Sequence, residues 1–125
     1  MRSLQLIRTA LLANPTISGI VGTQIAPAVS AQGDKFPAIL YNKTFEDPEY
    51  CQVGVSTHET NIQFHVFAPR YEQVITLIEE LHKVLRSYQD NSVYATKYER
   101  GGAEDYLPDA KVYTDYVDYR FFIKQ

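Results

Sequence analysis

Three histidines and a single cysteine are the residues of this 125-residue chain best suited to chemistry, along with fifteen carboxylates. His58 and His65 fall an odd number apart on one extended run, so they are expected on opposite faces. His82 sits in a helical run with no second histidine or cysteine three or four residues away. Neither arrangement makes a zinc or iron site. Cys51 lies close to Glu46, Asp47 and Glu49, and a negative neighbourhood disfavours the thiolate that a nucleophile needs. Asp115 and Asp118 form an attractive carboxylate pair on paper, yet their odd spacing on a strand separates them across a sheet. The cluster Glu46, Asp47 and Glu49 lacks the alternating acid pattern and glycine of a calcium loop. Gly101-Gly102 lacks the Lys-Ser/Thr of a phosphate loop, and no G-x-S-x-G elbow occurs. No catalytic residue, metal ligand or cofactor site is expected.

The tyrosines stand out instead. Ten occur in the chain, and six of them lie between Tyr94 and Tyr119. Tyr94, Tyr98, Tyr113 and Tyr116 are candidate subunit-interface residues, because tyrosine is enriched where proteins meet. Cross-strand packing within one sheet explains them equally well. A stacking platform for bases is the third reading, and Asp115 and Asp118 oppose it by repelling phosphate.

The elements that must position these residues follow from periodicity. Ser3–Ala13 places Leu4, Ile7, Leu11 and Leu12 at helical spacing, and Asn14-Pro15 ends that helix. A second short helical turn is expected over Pro15–Val21, stopped by Gly22. Thr23–Pro27 reads as a short extended piece, and Ser30–Lys35 as a polar loop. Phe36–Phe45 reads as a strand, with Ile39, Tyr41 and Phe45 of one parity. Glu46–Ser56 has little periodicity and is expected to be the long, mobile tip of a hairpin. Thr57–Ala68 alternates strictly, with Thr60, Ile62, Phe64, Val66 and Ala68 on one face and Asn61, Gln63, His65 and Phe67 on the other. A helix over Arg70–Tyr88 carries the stripe Tyr71, Val74, Ile75, Ile78, Leu81, Leu85 and Tyr88. Ser92–Glu99 reads as a strand, Arg100–Ala110 as a second loop, and Lys111–Ile123 as a long strand.

One helix between two groups of strands excludes an alternating parallel sheet. The expected class is α+β: a mostly antiparallel sheet of about four main strands with two helices on one face, as a single domain over residues 1–125. The charge is −3, with 45% hydrophobic residues. That excludes wholesale disorder and disfavours tight nucleic-acid binding. No apolar run approaches the length of a membrane span, the opening residues are too polar for a signal peptide, and one cysteine suits a reducing compartment. Charge is unevenly spread. Residues 1–45 carry Arg2, Arg8, Lys35 and Lys43 against Asp34, and the remainder carries eight basic and fourteen acidic residues. Contact between the acidic part of one subunit and the basic part of the next is head-to-tail, the kind that closes into rings.

Several segments, taken in order, carry a family resemblance. They are Ile17-Ser18-Gly19-Ile20-Val21-Gly22-Thr23-Gln24-Ile25, Phe36-Pro37-Ala38-Ile39-Leu40-Tyr41, Asn61–Ala68, the stripe Tyr71…Val74…Ile78…Leu81…Leu85, and Tyr113…Tyr119-Arg120-Phe121-Phe122-Ile123. Their order and spacing are similar to the tail-completion proteins of long-tailed bacteriophages, also called tail terminators or tail-to-head joining proteins. The resemblance implies a structural protein of virion or prophage, without catalytic residues or cofactors. It implies a hexameric ring on the head-proximal end of the tail tube, made in the host cytoplasm. Its partners would be copies of itself, the major tail tube protein and the head connector, with DNA passing through the lumen without specific binding and no membrane involved. On this resemblance Glu46, Asp47, Glu49 and Tyr50 form the candidate lumen or docking loop, and Arg100–Ala110 is a second one. Two alternatives remain open: another neck or minor tail component, or a small cytosolic enzyme using Cys51 or His65 in a tertiary site. The inert reading of the thiol is testable. Cys51→Ser should leave the circular-dichroism melt and assembly unchanged, and loss of assembly with the fold intact would contradict it.

Overall fold

The computed structural model describes residues 2–27, 36–51, 54–86, 88–89, 93–102 and 104–124. The expected polar loop Ser30–Lys35 lies outside them. Among the described residues three helices and six strands follow one another: α1 (Arg2–Leu12), α2 (Pro15–Val21), β1 (Ile25–Pro27), β2 (Ala38–Cys51), β3 (Gly54–Ala68), α3 (Tyr71–Leu85), β4 (Val93–Gly101), β5 (Asp105–Leu107) and β6 (Val112–Lys124). The sheet order is β1-β2-β3-β6-β4, with β5 also pairing β6. Only β1–β2 is parallel. The class is α+β as expected, with six strands rather than four and three helices rather than two.

The break between α1 and α2 is made by Asn14. Its Oδ1 accepts from the amides of Thr16 (2.9 Å) and Ile17 (3.1 Å), capping α2 with Pro15 in the first helical turn. Its Nδ2 donates to Glu80 Oε1 on α3 at 3.0 Å, so one side chain caps a helix and ties it to a neighbour. Lys83 donates to the other Glu80 oxygen at 2.9 Å, and these two donors hold the Glu80 carboxyl below the ordinary carboxylate range. Arg8 Nε donates to the Ile25 carbonyl at 2.7 Å, fixing α1 to β1.

The centre of the sheet is the β3–β6 pair, in register from Thr57↔Lys124 to Ala68↔Tyr113. Alternation puts Thr60, Ile62, Phe64, Val66 and Ala68 with Val117, Tyr119 and Phe121 on the inner face, all buried. Ile39 and Tyr41 extend that face onto β2, and Ile7, Leu11, Ile17 and Val21 close it from α1 and α2. α3 packs on β3 and β6. Its buried stripe is Val74, Leu77, Leu81 and Leu85, with Ile78 partly buried against the core. This corrects the expected stripe. Tyr71 and Ile75 are exposed, and Leu77, absent from that stripe, faces the core. The helix is rotated so that the run 74, 77, 81, 85 lies innermost.

Two expected loops are strands. β2 continues through Glu46–Cys51, and β3 begins at Gly54, pairing Glu46↔Thr60 and Cys51↔Gly54. The described pairing of β2 with β1 runs from Ile25↔Ile39 to Pro27↔Tyr41. A proline at an edge removes no needed ladder donor, so Pro48 is accommodated opposite His58. Register shifts after Lys43 and Glu49 erase the alternation that would have announced a strand. Similarly, β4 runs on to Gly101, and β5 resumes the pairing with β6 inside the expected loop Arg100–Ala110. Gly101 is required at that edge. A Cβ there would stand 2.7 Å from the Tyr116 carbonyl oxygen.

The rotated stripe gives a direct test. Leu81→Ala should cost about 2–5 kcal/mol in urea melts, as burial of that leucine demands. Ile75→Ala, on the exposed shoulder, should cost under about 0.5 kcal/mol.

Candidate functional site

Three surfaces compete as the working surface. The first is the β2–β3 arm. It carries Glu46, Asp47, Glu49, Tyr50 and Cys51 on a paired ribbon. The side chains of these residues, and that of Tyr94, lie outside the described residues.

The second is the outer sheet face, opposite the helices. Here Asn61, Gln63, His65 and Phe67 of β3 oppose Arg120, Asp118, Tyr116 and Thr114 of β6. Arg120 is the hub. Its guanidinium meets Glu99 at 2.7 Å, Asn61 Oδ1 at 3.1 Å and Glu59 at 3.5 Å. Arg100 pairs with Asp118 Oδ2 at 3.1 Å. Asp118 is fully buried, and its Oδ1 finds no hydrogen-bond partner among the described residues. Next to this acid–base belt the rings of Phe36, Phe67, His65 and Tyr116 form a row, with neighbouring centroids 5.8–6.4 Å apart. Burial lowers the pKa of His65, against the opposing pull of Asp118. Its Nε2 and Gln63 Oε1 share a 2.9 Å hydrogen bond.

The third is a groove between α3 and the β4–β5 edge. Residues 71, 75, 79, 82 and 86 form a shoulder beside the buried stripe of α3. Tyr71 packs on Tyr113 (5.6 Å), Tyr113 on Tyr106 (4.7 Å), and the Tyr71 hydroxyl donates to Glu104 at 2.8 Å. At the other end His82 stands edge-on to Tyr98 (5.0 Å), and the Arg86 guanidinium lies 5.9 Å from the centre of that ring. The His82 Nδ1 shares a hydrogen bond with the hydroxyl of Tyr119, the largest fully buried side chain. Burial, then Arg86, lowers the His82 pKa, while Asp115 pulls it up. Glu79, His82, Lys83 and Arg86, all of α3 and its C-terminal cap, line a hollow of about 350 Å³ on the helix side. The exposed large apolar side chains among the described residues are Tyr71, Ile75, Tyr98 and Tyr106, and three of them, Tyr71, Tyr98 and Tyr106, take part in these ring contacts.

The three candidate interface tyrosines whose side chains are described fall on two surfaces. Tyr98 and Tyr113 belong to the groove, and Tyr116 lies on the outer face against His65. Asp115 and Asp118 are separated across the sheet, as their spacing requires. Sequence reasoning missed Tyr71, Tyr106, His82 and Arg86 as neighbours of Tyr98 and Tyr113. The available signal was Tyr71 and Ile75, which the helical stripe absorbed into the core. Among the described residues no group of three or more His, Cys, Asp or Glu is placed to hold a metal. No described helix is long and apolar enough to cross a membrane.

No protein-family model and no curated protein matches the chain. A solved structure does: a chain of the "Virion of native gene transfer agent (GTA) particle". The two share a fold. The TM-score is 0.77 over 95% of this chain and 92% of that one, at 10% sequence identity.

The two described histidines give a pH signature. Each has a folded pKa below its ordinary value of 6.5, so each favours the fold when neutral. That contribution is complete above about pH 6.5 and fades as pH falls toward the lowered values. The melting temperature should therefore drop between pH 7.5 and 5.5. His65→Gln with His82→Gln should flatten that slope, and an unchanged slope would show that neither ring carries it.

Proposed function

We propose that this chain is a structural component of a phage-like virion and, more finely, the ring that caps the tail tube and joins it to the head connector. The fold likeness to a gene transfer agent virion chain over 95% of the sequence carries the reading. The order of segments shared with tail-completion proteins supports the finer role. On this reading the protein acts by contact rather than by catalysis. Its partners are further copies of itself, six in the ring, the tail tube protein below and the head connector above. It resides at the head-proximal end of the tail after assembly in the host cytoplasm.

Charge supports a conduit. A chain of net charge −3 repels DNA phosphates, and the sequence of the β2–β3 arm adds Glu46, Asp47 and Glu49. A lumen near such groups lets DNA slide without being held. The arm is a paired ribbon, so it offers a firm edge for docking rather than a slack tip.

Removing the gene from a particle-producing strain tests the role. Electron micrographs should show headless tails with tubes of uneven, extended length, restored by the gene in trans. Tubes of normal length that fail only at head joining would indicate a neck component. Particles of normal form and yield would contradict a structural role altogether.

A further inference from the structure

At its first residue α3 meets the β5–β6 pair through a cluster of rings. Tyr71 packs on Tyr113 and Tyr113 on Tyr106, with centroids 5.6 Å and 4.7 Å apart. Tyr106 and Tyr113 are direct cross-strand partners. Tyr71 and Tyr106 are each 43% exposed, while Tyr113 anchors the cluster against the core. The rings thus keep open area on a supported base.

Two carboxylates border them. The Tyr71 hydroxyl donates to Glu104 Oε2 at 2.8 Å. Asp115 shares strand parity with Tyr113 and is only 7% exposed. The hydrogen bond and charge of Glu104, then partial cover, then the charge of Asp115 raise the Tyr71 pKa, so both acids act on that ring. Asp115 Oδ1 accepts from the Tyr116 amide at 2.7 Å. Among the described residues neither Glu104 nor Asp115 has an ion-pair partner. His82 also feels Asp115, but burial and Arg86 keep that imidazole neutral at neutral pH. A buried carboxylate without a cation is costly. Ring faces attract cations as well. Rings and acids therefore select the same kind of ligand.

The sequence around the cluster has the matching sign. From Glu104 to Asp115 it holds Glu104, Asp105, Asp109 and Asp115 against Lys111 alone. Every arginine whose side chain is described is already engaged in its own chain. Arg8 holds the Ile25 carbonyl, Arg70 pairs with Glu72, Arg86 lies over Tyr98, Arg100 pairs with Asp118 and Arg120 with Glu99. A second copy has no described arginine to spare. A planar guanidinium can stack on a ring while its N–H groups meet a carboxylate, which an ammonium cannot do.

We infer that Tyr71, Tyr106 and Tyr113, with Glu104 and Asp115, form a receptor for an arginine side chain of a different, basic partner protein. The guanidinium takes the open ring area and Glu104, and Asp115 supplies charge from beneath. This goes beyond the ring reading and stands without it, since it needs a basic neighbour rather than six copies.

The probes are short blocked glycine peptides with one central arginine, lysine or citrulline, titrated into the full-length protein. The arginine peptide should shift the ring NMR signals of Tyr71, Tyr106 and Tyr113 saturably in the millimolar range, more weakly as salt rises. Glu104→Gln keeps an acceptor for the Tyr71 hydroxyl and removes the charge. Tyr106→Leu keeps apolar bulk and removes a ring. Each should weaken binding by about threefold or more, with the circular-dichroism melt retained. Asp109→Asn, which removes a charge from the same segment away from the rings, should leave binding unchanged. Absence of saturable shifts at these tyrosines, or citrulline binding as tightly as arginine, overturns the receptor. Equal binding of lysine overturns the choice of arginine. A loss in Asp109→Asn as large as in Glu104→Gln reduces the effect to diffuse charge and also overturns it. Concentration-dependent shifts of the same rings without peptide, lost in Glu104→Gln, give the site to a second copy and overturn the different partner. The tail-tube phenotype tests the ring separately.

Discussion

The β3–β6 register is the constraint on which the rest of the molecule depends. It pairs twelve residues of each strand, and its side-chain period of two sorts them between faces. A slip of β6 by one residue against β3 would turn Tyr119 and Phe121 outward and bring Arg120 and Asp118 beneath α3. Burying those charges without partners costs far more than any single packing contact returns. The helices hold the register from one side, because Leu77, Leu81 and Leu85 have no other apolar surface to cover. The Arg120 hub holds it from the other, since its partners Asn61, Glu59 and Glu99 come from β3 and β4 and meet only in this alignment.

The readable parts of the sequence were those packed on the core. Thr57–Ala68 alternates because one face is covered and the other is not, and its assignment survives residue by residue. The α3 stripe was legible as a helix but not in its rotation. Tyr71 and Ile75 are apolar and in phase, so pattern alone cannot tell the stripe from its shoulder. The arm was illegible for another reason. Its ladder is made of main-chain hydrogen bonds, with bulges after Lys43 and Glu49, so no face-to-face periodicity marks it. β5 is three residues long and exists because β6 offers it an edge, a tertiary cause with no local signature. The candidate tyrosines divided between faces because Tyr113 and Tyr116 lie three residues apart on β6, an odd spacing that puts two side chains on opposite faces of a strand.

The same features that obscured the fold bear on the proposed role. A ring component needs surfaces that are rigid, exposed and different on its two flanks. The arm is stiffened by its strand pairing, and ring contacts with Tyr119, Tyr113 and His82 keep Tyr98, Tyr71 and Tyr106 in place. The groove tyrosines are half-supported from below, so they present area without losing much conformational freedom on contact.

The most direct test of the structural reading is a cryo-electron microscopy reconstruction of the head–tail junction in particles that contain this chain. The account predicts a six-fold ring at the head-proximal end of the tube, its subunit density fitted by the sheet order β1-β2-β3-β6-β4 under three helices. A junction built wholly of other proteins, with this chain elsewhere in the particle or absent from it, would contradict it.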